Sequence, residues 1–469
     1  MAEQTYDVVI IGSGPGGYRA AVLGALRGLR TAVVEDSVWG GCCLNRGCVP
    51  KKDWYRSARL LEAAGAADAA WTGTLTPDLA RAWEHQRGVV QRVRDSYTDY
   101  MKRLGIRAVA GHGRLDGANR VIVERAGERT QLDTAHVILA TGSTPALPPD
   151  ADIATAPGRI LDTDLLFERP PPAGRRVAVL GSGVVATEFA YILKRFGREV
   201  LWLPRSEPLH RTRFSPQARR ALGAALERHA IDTRPGADLR RAAPDGPGVR
   251  LTLTDGSQET VDWLLLGTGR RPRTADLGLE TAGIETDAEG RIRRDEFLRT
   301  AAPNVYAIGD CAGHEMTANQ ALDDAGVAIE NLLGGEPRRK DPDWIPFVVY
   351  SALELARIGL DEDRAEDLGH EPAVGFAAFE TSPCALAEGD AAGFVRLLAD
   401  LDTGTLLGGE ITGAEAGELI HLLALAPDRD TALRLLAAGR YNHPARAEEL
   451  LNATETLAAK WGLAERVFG

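Results

Sequence analysis

Cysteine is scarce, with five residues in a chain of 469. That supply cannot staple a fold of this length, so a disulfide framework is excluded. No apolar run approaches the ~18 residues a membrane helix requires, and no membrane partner is expected. The N-terminus, MAEQTYDVVIIGSG, has no basic segment followed by a long apolar one and runs almost at once into a short strand, so no cleaved signal peptide is expected. An excess of positive charge is missing too. The net charge is −11 and the Lys and Arg residues are scattered, which argues against nucleic acid as a partner. The expected compartment is the cytoplasm, where thiols stay reduced and a disulfide that does form is catalytic.

What is present reads as an ordinary globular chain, 44 % hydrophobic and 26 % charged. Its length suits roughly two to four domains. Two segments share one pattern: a β-branched run, a glycine turn, then apolar residues at helical spacing. They are YDVVIIGSGPGGYRAAVLGALRG from Tyr6 and RRVAVLGSGVVATEFAYILKRFG from Arg175. A duplicated strand–turn–helix start implies two dinucleotide sites and an α/β fold. Between them, Leu60 to Leu104 reads as mainly helical and Ile106 to Val123 as short strands. HVILATGSTP, DWLLLGTGRRP and NVYAIGDCAGHE are further strands ending in glycine turns, and a helix follows from about Thr317 to Leu333. Proline-rich connections around PDADIATAPGR and ERPPPAG, and the polar stretch GGEPRRKDPDWIP, mark boundaries. The expected units are 1–155, interrupted by 156–272 and resumed over 273–340, then a last unit over 341–469.

In the first fingerprint Gly12, Gly14 and Gly17 form G-x-G-x-x-G between strand and helix. The first permits the tight turn, the second lets a pyrophosphate approach the backbone, and the third lets the helix pack on the strand. Glu35 ends the next strand, where a carboxylate takes the ribose hydroxyls. The second fingerprint has Gly181, Gly183 and Ala186, but its next strand, EVLWLPRSE, ends in Arg205 instead of an acid. Arg211 and Arg213 stand close behind. A guanidinium there suits a 2′-phosphate, which points to NADPH over NADH. Glu207 could still reach a ribose, and the arginines read equally as a solvated surface.

Three of the cysteines crowd into GGCCLNRGCVPKK, Gly40 to Lys52, with Cys43 and Cys48 spaced C-x-x-x-x-C. No second Cys or His pair offers ligand spacing, which argues against a metal. A redox pair is the coherent alternative. One thiolate attacks a substrate disulfide and the other resolves the mixed disulfide.

The chain resembles the flavoprotein disulfide reductases, the group of dihydrolipoamide dehydrogenase and glutathione reductase. Their GG-x-C-x-x-x-G-C-V/I-P signature stands here as GGCCLNRGCVP, and GSGVVATE, ATGS, YAIGDC and YNHPARAEEL match further family segments over essentially the whole chain. The resemblance implies two Rossmann-like domains, for FAD and NAD(P), and a C-terminal α+β dimerisation domain. FAD would be held by Gly12, Gly14, Gly17, Glu35, Gly41, Thr141, Gly142 and Asp310. The nicotinamide nucleotide would be held by Gly181, Gly183, Ala186, Arg205, Arg211 and Gly269. Cys48 would carry the flavin-side thiolate and Cys43 the exchange with substrate. His443 from the partner subunit, oriented by Glu448, would move the proton of Cys43 in a homodimer. Lys51 or Lys52, paired with Glu188, would supply positive charge beside the thiolate.

The chain departs from these relatives at several positions. Cys42 stands where threonine is usual, and a small buried side chain is its expected role. Cys311 and Cys384 are expected to be buried thiols. Tyr441 and Ala445 replace the histidine and threonine that usually flank His-Pro, so the substrate is open: a small disulfide, reduced with NADPH, is favoured. A lipoyl-bearing protein served by a dihydrolipoamide dehydrogenase with NAD is the alternative. A flavin protein without disulfide chemistry is a distant third, since both cysteines and both residues of the His–Glu dyad are present.

Overall fold

The computed structural model describes residues 5–65, 72–156 and 158–469. Residues 66–71, inside the stretch read as helical, and Pro157 in the first proline-rich connection lie outside the described residues. Helices Cys48–Ala64 and Leu79–Arg103 account for the helical reading on either side.

The buried run of Thr5–Ile11 has neighbours on both sides, because a strand of a largely parallel sheet has both faces covered. It pairs in parallel with Thr31–Glu35 and with Glu128–Leu139. Arg107–Ala110, Arg120–Arg125, His112–Leu115 and Val305–Ala307 complete this seven-stranded sheet. Helix Pro15–Leu26 crosses between the first two strands and packs on helix Ala318–Leu333. The second fingerprint repeats the plan. Arg176–Leu180 lies between Glu199–Leu203 and Trp263–Leu266, with Asp232–Thr233 and Ile160–Asp162 at the edges, all parallel.

Two short pairings tie these units. Ser143–Pro145 lies antiparallel to Arg270–Pro272, where the chain leaves the first unit and where it returns. Asp152–Ile153 already pairs with Leu239–Asp245 of the second unit's antiparallel sheet. The C-terminal part is a five-stranded antiparallel sheet in the order Phe347–Tyr350, Glu354–Gly359, Leu406–Gly413, Gly393–Asp400, Pro372–Ala378. Helix Glu448–Trp461 covers its last strand.

One aromatic cluster locks the three parts around helix Cys48–Ala64. Trp54 is fully buried, with its ring 5.0 Å from Phe167 and 6.4 Å from Phe189 of the second unit. The same core runs on to Phe347 and Val349 at the start of the C-terminal sheet. Each such ring pair adds about 0.5–1.5 kcal/mol beyond its buried area. The helix that carries Cys48 therefore sits on a rigid junction. Among the described residues, no helix is long and apolar enough to cross a membrane.

Candidate active site

The cysteine stretch sits where it does because glycine lets two backbones meet. Gly41 has φ +63°, and a Cβ there would stand 2.5 Å from the Cα of Gly14. The short helix Gly41–Arg46 thus lies directly on the first dinucleotide turn. The Asn45 amide donates to the carbonyls of Trp39 (3.0 Å) and Gly41 (2.8 Å) and pins that helix. The chain breaks at Gly47, and Cys48 opens the 17-residue helix Cys48–Ala64. Cys43 and Cys48 thereby face each other across one turn, with Cys48 at the positive end of a helix.

All five cysteines are free in this structure, so the pair is in its reduced form. It is asymmetric. A hydrogen bond from the Cys43 thiol, assisted by the Lys51 ammonium, holds Cys48, which is exposed to the cavity, below the usual thiol range. The same bond, together with burial, pushes Cys43 well above it. In the reduced pair the proton therefore rests on Cys43 in preference to Cys48, and the two titrate as a unit.

Between the two lysines the geometry discriminates. Lys51 Nζ donates to Glu188 Oε1 at 2.6 Å, and that oxygen also accepts the Tyr350 amide at 2.9 Å. Lys52 Nζ stands over the Tyr350 ring, 3.6 Å from its centroid, and burial lowers its pKa. Cys42 turns toward Asp164, with Sγ 3.8 Å from Oδ1, and burial pushes its thiol up to about 12. Arg46 and Arg270 also reach Asp164. Cys311 is buried as expected. Cys384 differs, being only half-buried, because it stands in the short helix Pro383–Ala387 beside Glu388.

A cavity of about 1510 Å³ runs from the first fingerprint past the cysteines to the second. Pockets for single small ligands run to roughly 300–1,000 Å³, so this volume fits more than one bound group. Its first end suits a dinucleotide. Gly12 has φ +105° and its missing Cβ would strike the Ala140 carbonyl oxygen at 2.3 Å, whereas nothing comes closer than 3.9 Å to a Cβ on Gly14. Gly17 packs against Gly12, and a Cβ on it would meet the Gly12 oxygen. The turn is therefore closed behind and open in front, where a pyrophosphate would lie. Glu35 is held at the strand end by Ser13 N (3.0 Å), Ser13 Oγ (2.6 Å) and Ser37 N (2.9 Å). Thr141 Oγ1 donates to the Arg273 carbonyl, and Gly142 turns with φ +72° beside it. Asp310 accepts from Ser143 Oγ at 2.6 Å, and burial raises its pKa.

At the far end, Gly181 and Gly183 open helix Val184–Arg195, and Ala186 is fully buried against Gly267. Gly269 accepts the Ala146 amide. Arg205 and Arg211 line the cavity here. Arg205 stays 58 % exposed, with Asp238 at 3.8 Å. Arg213 does not join them. It is turned to Asp343 (2.8 Å) and Glu315 (3.5 Å), because the backbone reverses at that residue. Glu207 accepts from Arg219 at 3.2 Å.

The His443–Glu448 pair forms within the C-terminal part. His443 Nδ1 lies 3.0 and 3.3 Å from the two carboxylate oxygens. The imidazole and the Ala445 amide hold Glu448 below the usual carboxylate range. His443 is 72 % exposed and is not among the described residues that line the chain's own cavity.

Ser13, Ser143, Asp164, Arg270 and Tyr350 belong to these networks without having been singled out. Ser13 and Ser143 lie inside quoted motifs, where a hydroxyl beside a glycine turn is a usable signal. Asp164, Arg270 and Tyr350 acquire partners only through long-range packing.

The pyridine nucleotide-disulphide oxidoreductase family matches residues 6–325, and that family's dimerisation domain matches residues 345–454. The dihydrolipoyl dehydrogenase of Chlorobaculum tepidum is 33 % identical over 458 residues, covering 96 % of both chains. The glutathione reductase of Burkholderia cepacia is 30 % identical over 457 residues, 96 % of this chain and 99 % of its own. Among solved structures, LpdA of Mycobacterium tuberculosis superposes with a TM-score of 0.87 at 25 % identity, over 96 % of this chain and 98 % of that one. The HOCl-induced flavoprotein disulfide reductase RclA of Escherichia coli does so with 0.84 at 26 %, over 96 % and 99 %. With two dinucleotide folds and a dimerisation domain at matching places, this chain belongs to the FAD- and NAD(P)H-dependent pyridine nucleotide-disulphide oxidoreductases.

Proposed function

We propose that this enzyme draws electrons from NADPH to reduce a small disulfide, with Cys43 exchanging with substrate and Cys48 on the flavin side. The asymmetry of the cysteine pair carries the reading. The Gly12–Gly17 turn, Glu35, Gly41, Thr141, Gly142 and Asp310 would hold FAD, which would supply two-electron transfer between the nicotinamide and the disulfide.

Cys43 is a high-pKa thiol and needs a base before it can attack. The partner subunit's His443, in a homodimer, would take that proton, with Glu448 stabilising the imidazolium. The Cys43 thiolate then attacks one substrate sulfur, the substrate disulfide breaks, and the departing thiolate takes the proton back from His443. Cys48, already a thiolate beside Lys51, attacks Cys43 of the mixed disulfide. That step restores the Cys43–Cys48 disulfide and expels the second substrate sulfur as a thiolate, which takes its proton from solvent. The proposed compartment is the cytoplasm.

Arg205 and Arg211 support NADPH, since Arg205 instead of an acid follows the strand and both guanidinium groups line the cavity where a 2′-phosphate would lie. A second reading, reoxidation of a protein-bound dihydrolipoyl group with NAD, is favoured by the 33 % identity to a dihydrolipoyl dehydrogenase across 96 % of the chain. Initial rates with NADPH and NADH, against low-molecular-weight disulfides and lipoamide, separate the two. NADPH favoured about tenfold or more in kcat/KM supports reduction of a small disulfide. Preference for NADH, with lipoamide as the best acceptor, replaces it with the lipoyl reading.

A further inference from the structure

The loop from Arg205 to Ser215 carries Arg205, His210 and Arg211 into the cavity and ends at helix Pro216–Glu227. Two of its residues adopt left-handed backbone, Leu209 at φ +61° and Arg213 at φ +57°. Such conformations persist in non-glycine residues only where the surroundings over-determine them. Leu209 is fixed within its own unit, its side chain buried and its amide donating to the Ser182 carbonyl at 2.8 Å.

Arg213 is fixed largely from outside. Arg357 Nε donates to the Thr212 carbonyl at 2.6 Å. Arg213 pairs with Asp343 at 2.8 Å, and Phe214 packs on Phe347 with ring centroids 5.9 Å apart. The Ser215 amide and hydroxyl both donate to Glu410, at 2.7 and 2.6 Å. Asp343, Phe347, Arg357 and Glu410 all come from the C-terminal part of the chain. Arg357 and Glu410 are 5 % and 6 % exposed. Burying two charges is costly. Glu410 turns both carboxylate oxygens to Ser215, while Arg357 divides its hydrogen bonds between Thr212 and Glu315, a carboxylate that also pairs with Arg213. Glu410 also places an acceptor at the N-terminus of helix Pro216–Glu227, where the helix favours a negative group.

We propose that Arg357 and Glu410 are positioning residues of the nicotinamide-nucleotide site. By gripping Thr212 and Ser215 they fix the loop that presents Arg205, His210 and Arg211. The C-terminal domain thereby sets the affinity for the 2′-phosphorylated adenosine end of NADPH. This inference rests on the NADPH reading of Arg205 and Arg211.

The test measures binding of 2′,5′-ADP to the FAD-loaded enzyme by calorimetry, together with KM for NADPH and NADH and kcat with ferricyanide as acceptor. Glu410→Ala and Arg357→Met should each weaken 2′,5′-ADP and raise the NADPH KM by about tenfold, with FAD content and kcat held within about twofold. Ser215→Ala, which removes a single hydroxyl, should weaken 2′,5′-ADP in the same direction by less, and it serves where the larger changes prevent folding. Wild-type affinity for 2′,5′-ADP in variants that retain FAD overturns the clamp. Arg205→Glu separates this from a failure of the NADPH reading. If that variant binds 2′,5′-ADP normally, the arginine reading falls. The clamp is then judged by the NADH KM of Glu410→Ala, a rise sustaining it and no change overturning it.

Discussion

Replacing Lys51 by Met should release two effects that can be read separately. Lys51 and Glu188 are 13 % and 4 % exposed and pair at 2.6 Å. Without the ammonium, the Glu188 carboxylate keeps the Tyr350 amide as its one hydrogen-bond donor among the described residues. Stripping one member from a buried ion pair costs about 3–5 kcal/mol, whereas replacing both by neutral groups of similar size can cost little. Lys51→Met and Glu188→Gln should therefore each destabilise, and the double variant should recover about 2 kcal/mol or more relative to their sum. Urea unfolding followed by near-ultraviolet circular dichroism, as a double-mutant cycle, measures this. The second effect concerns Cys48. Lys51 is one of the causes that lower its pKa, after the hydrogen bond from Cys43. In the reduced enzyme the long-wavelength absorbance of a thiolate beside the flavin should persist below the usual thiol range and vanish only as pH falls through the lowered Cys48 value. In Lys51→Met it should vanish at a higher pH. Additive stabilities, or an unmoved pH midpoint, would refute the role assigned to Lys51.

Arg205→Glu should shift nucleotide preference toward NADH. Each unit charge at contact distance is worth about 1–4 kcal/mol between bulk-water and surface-like dielectrics, so roughly tenfold or more is expected in the ratio of kcat/KM values. Cys43→Ser should lose disulfide turnover by roughly a thousandfold while still oxidising NADPH with ferricyanide; full disulfide turnover would remove Cys43 from the reaction. Glu448→Gln should lower disulfide turnover about a hundredfold. Because the Glu448 pKa is lowered, its charge is retained through the usual carboxylate range and lost only below it. The acid limb of the wild-type rate profile near neutrality should therefore not follow this carboxylate. Cys42, with its thiol pushed up to about 12, should escape iodoacetamide at pH 8 in the reduced enzyme, as mapped by mass spectrometry.

Much of this molecule follows from local rules. Both strand–turn–helix units follow from glycine placement and apolar periodicity, whereas the break at Gly47 and the helix opening at Cys48 emerge only in the structure. The His443–Glu448 pair is legible through the family resemblance of YNHPARAEEL, since its spacing alone reads equally as the start of a surface helix, here Glu448–Trp461. What escaped depends on contacts distant in sequence. Lys51 and Lys52 are adjacent and chemically alike, and only Glu188 and Tyr350, brought in from other units, tell them apart. Arg213 looked equivalent to Arg211 by spacing, yet a left-handed backbone turned it to Asp343. Cys384 looked like a buried thiol because its helix, five residues long, leaves too little periodicity to show which face is covered.

The central claim is that Cys43 and Cys48 together carry electrons from the nicotinamide nucleotide to the substrate. The direct measurement is anaerobic: oxidised enzyme is treated with one equivalent of NADPH, quenched with an alkylating reagent under denaturing conditions, and mapped by mass spectrometry against an untreated control. The account predicts that Cys43 and Cys48 become labelled only after NADPH, while Cys42, Cys311 and Cys384 label equally in both samples. Labelling of Cys43 and Cys48 that is unchanged by NADPH would contradict it.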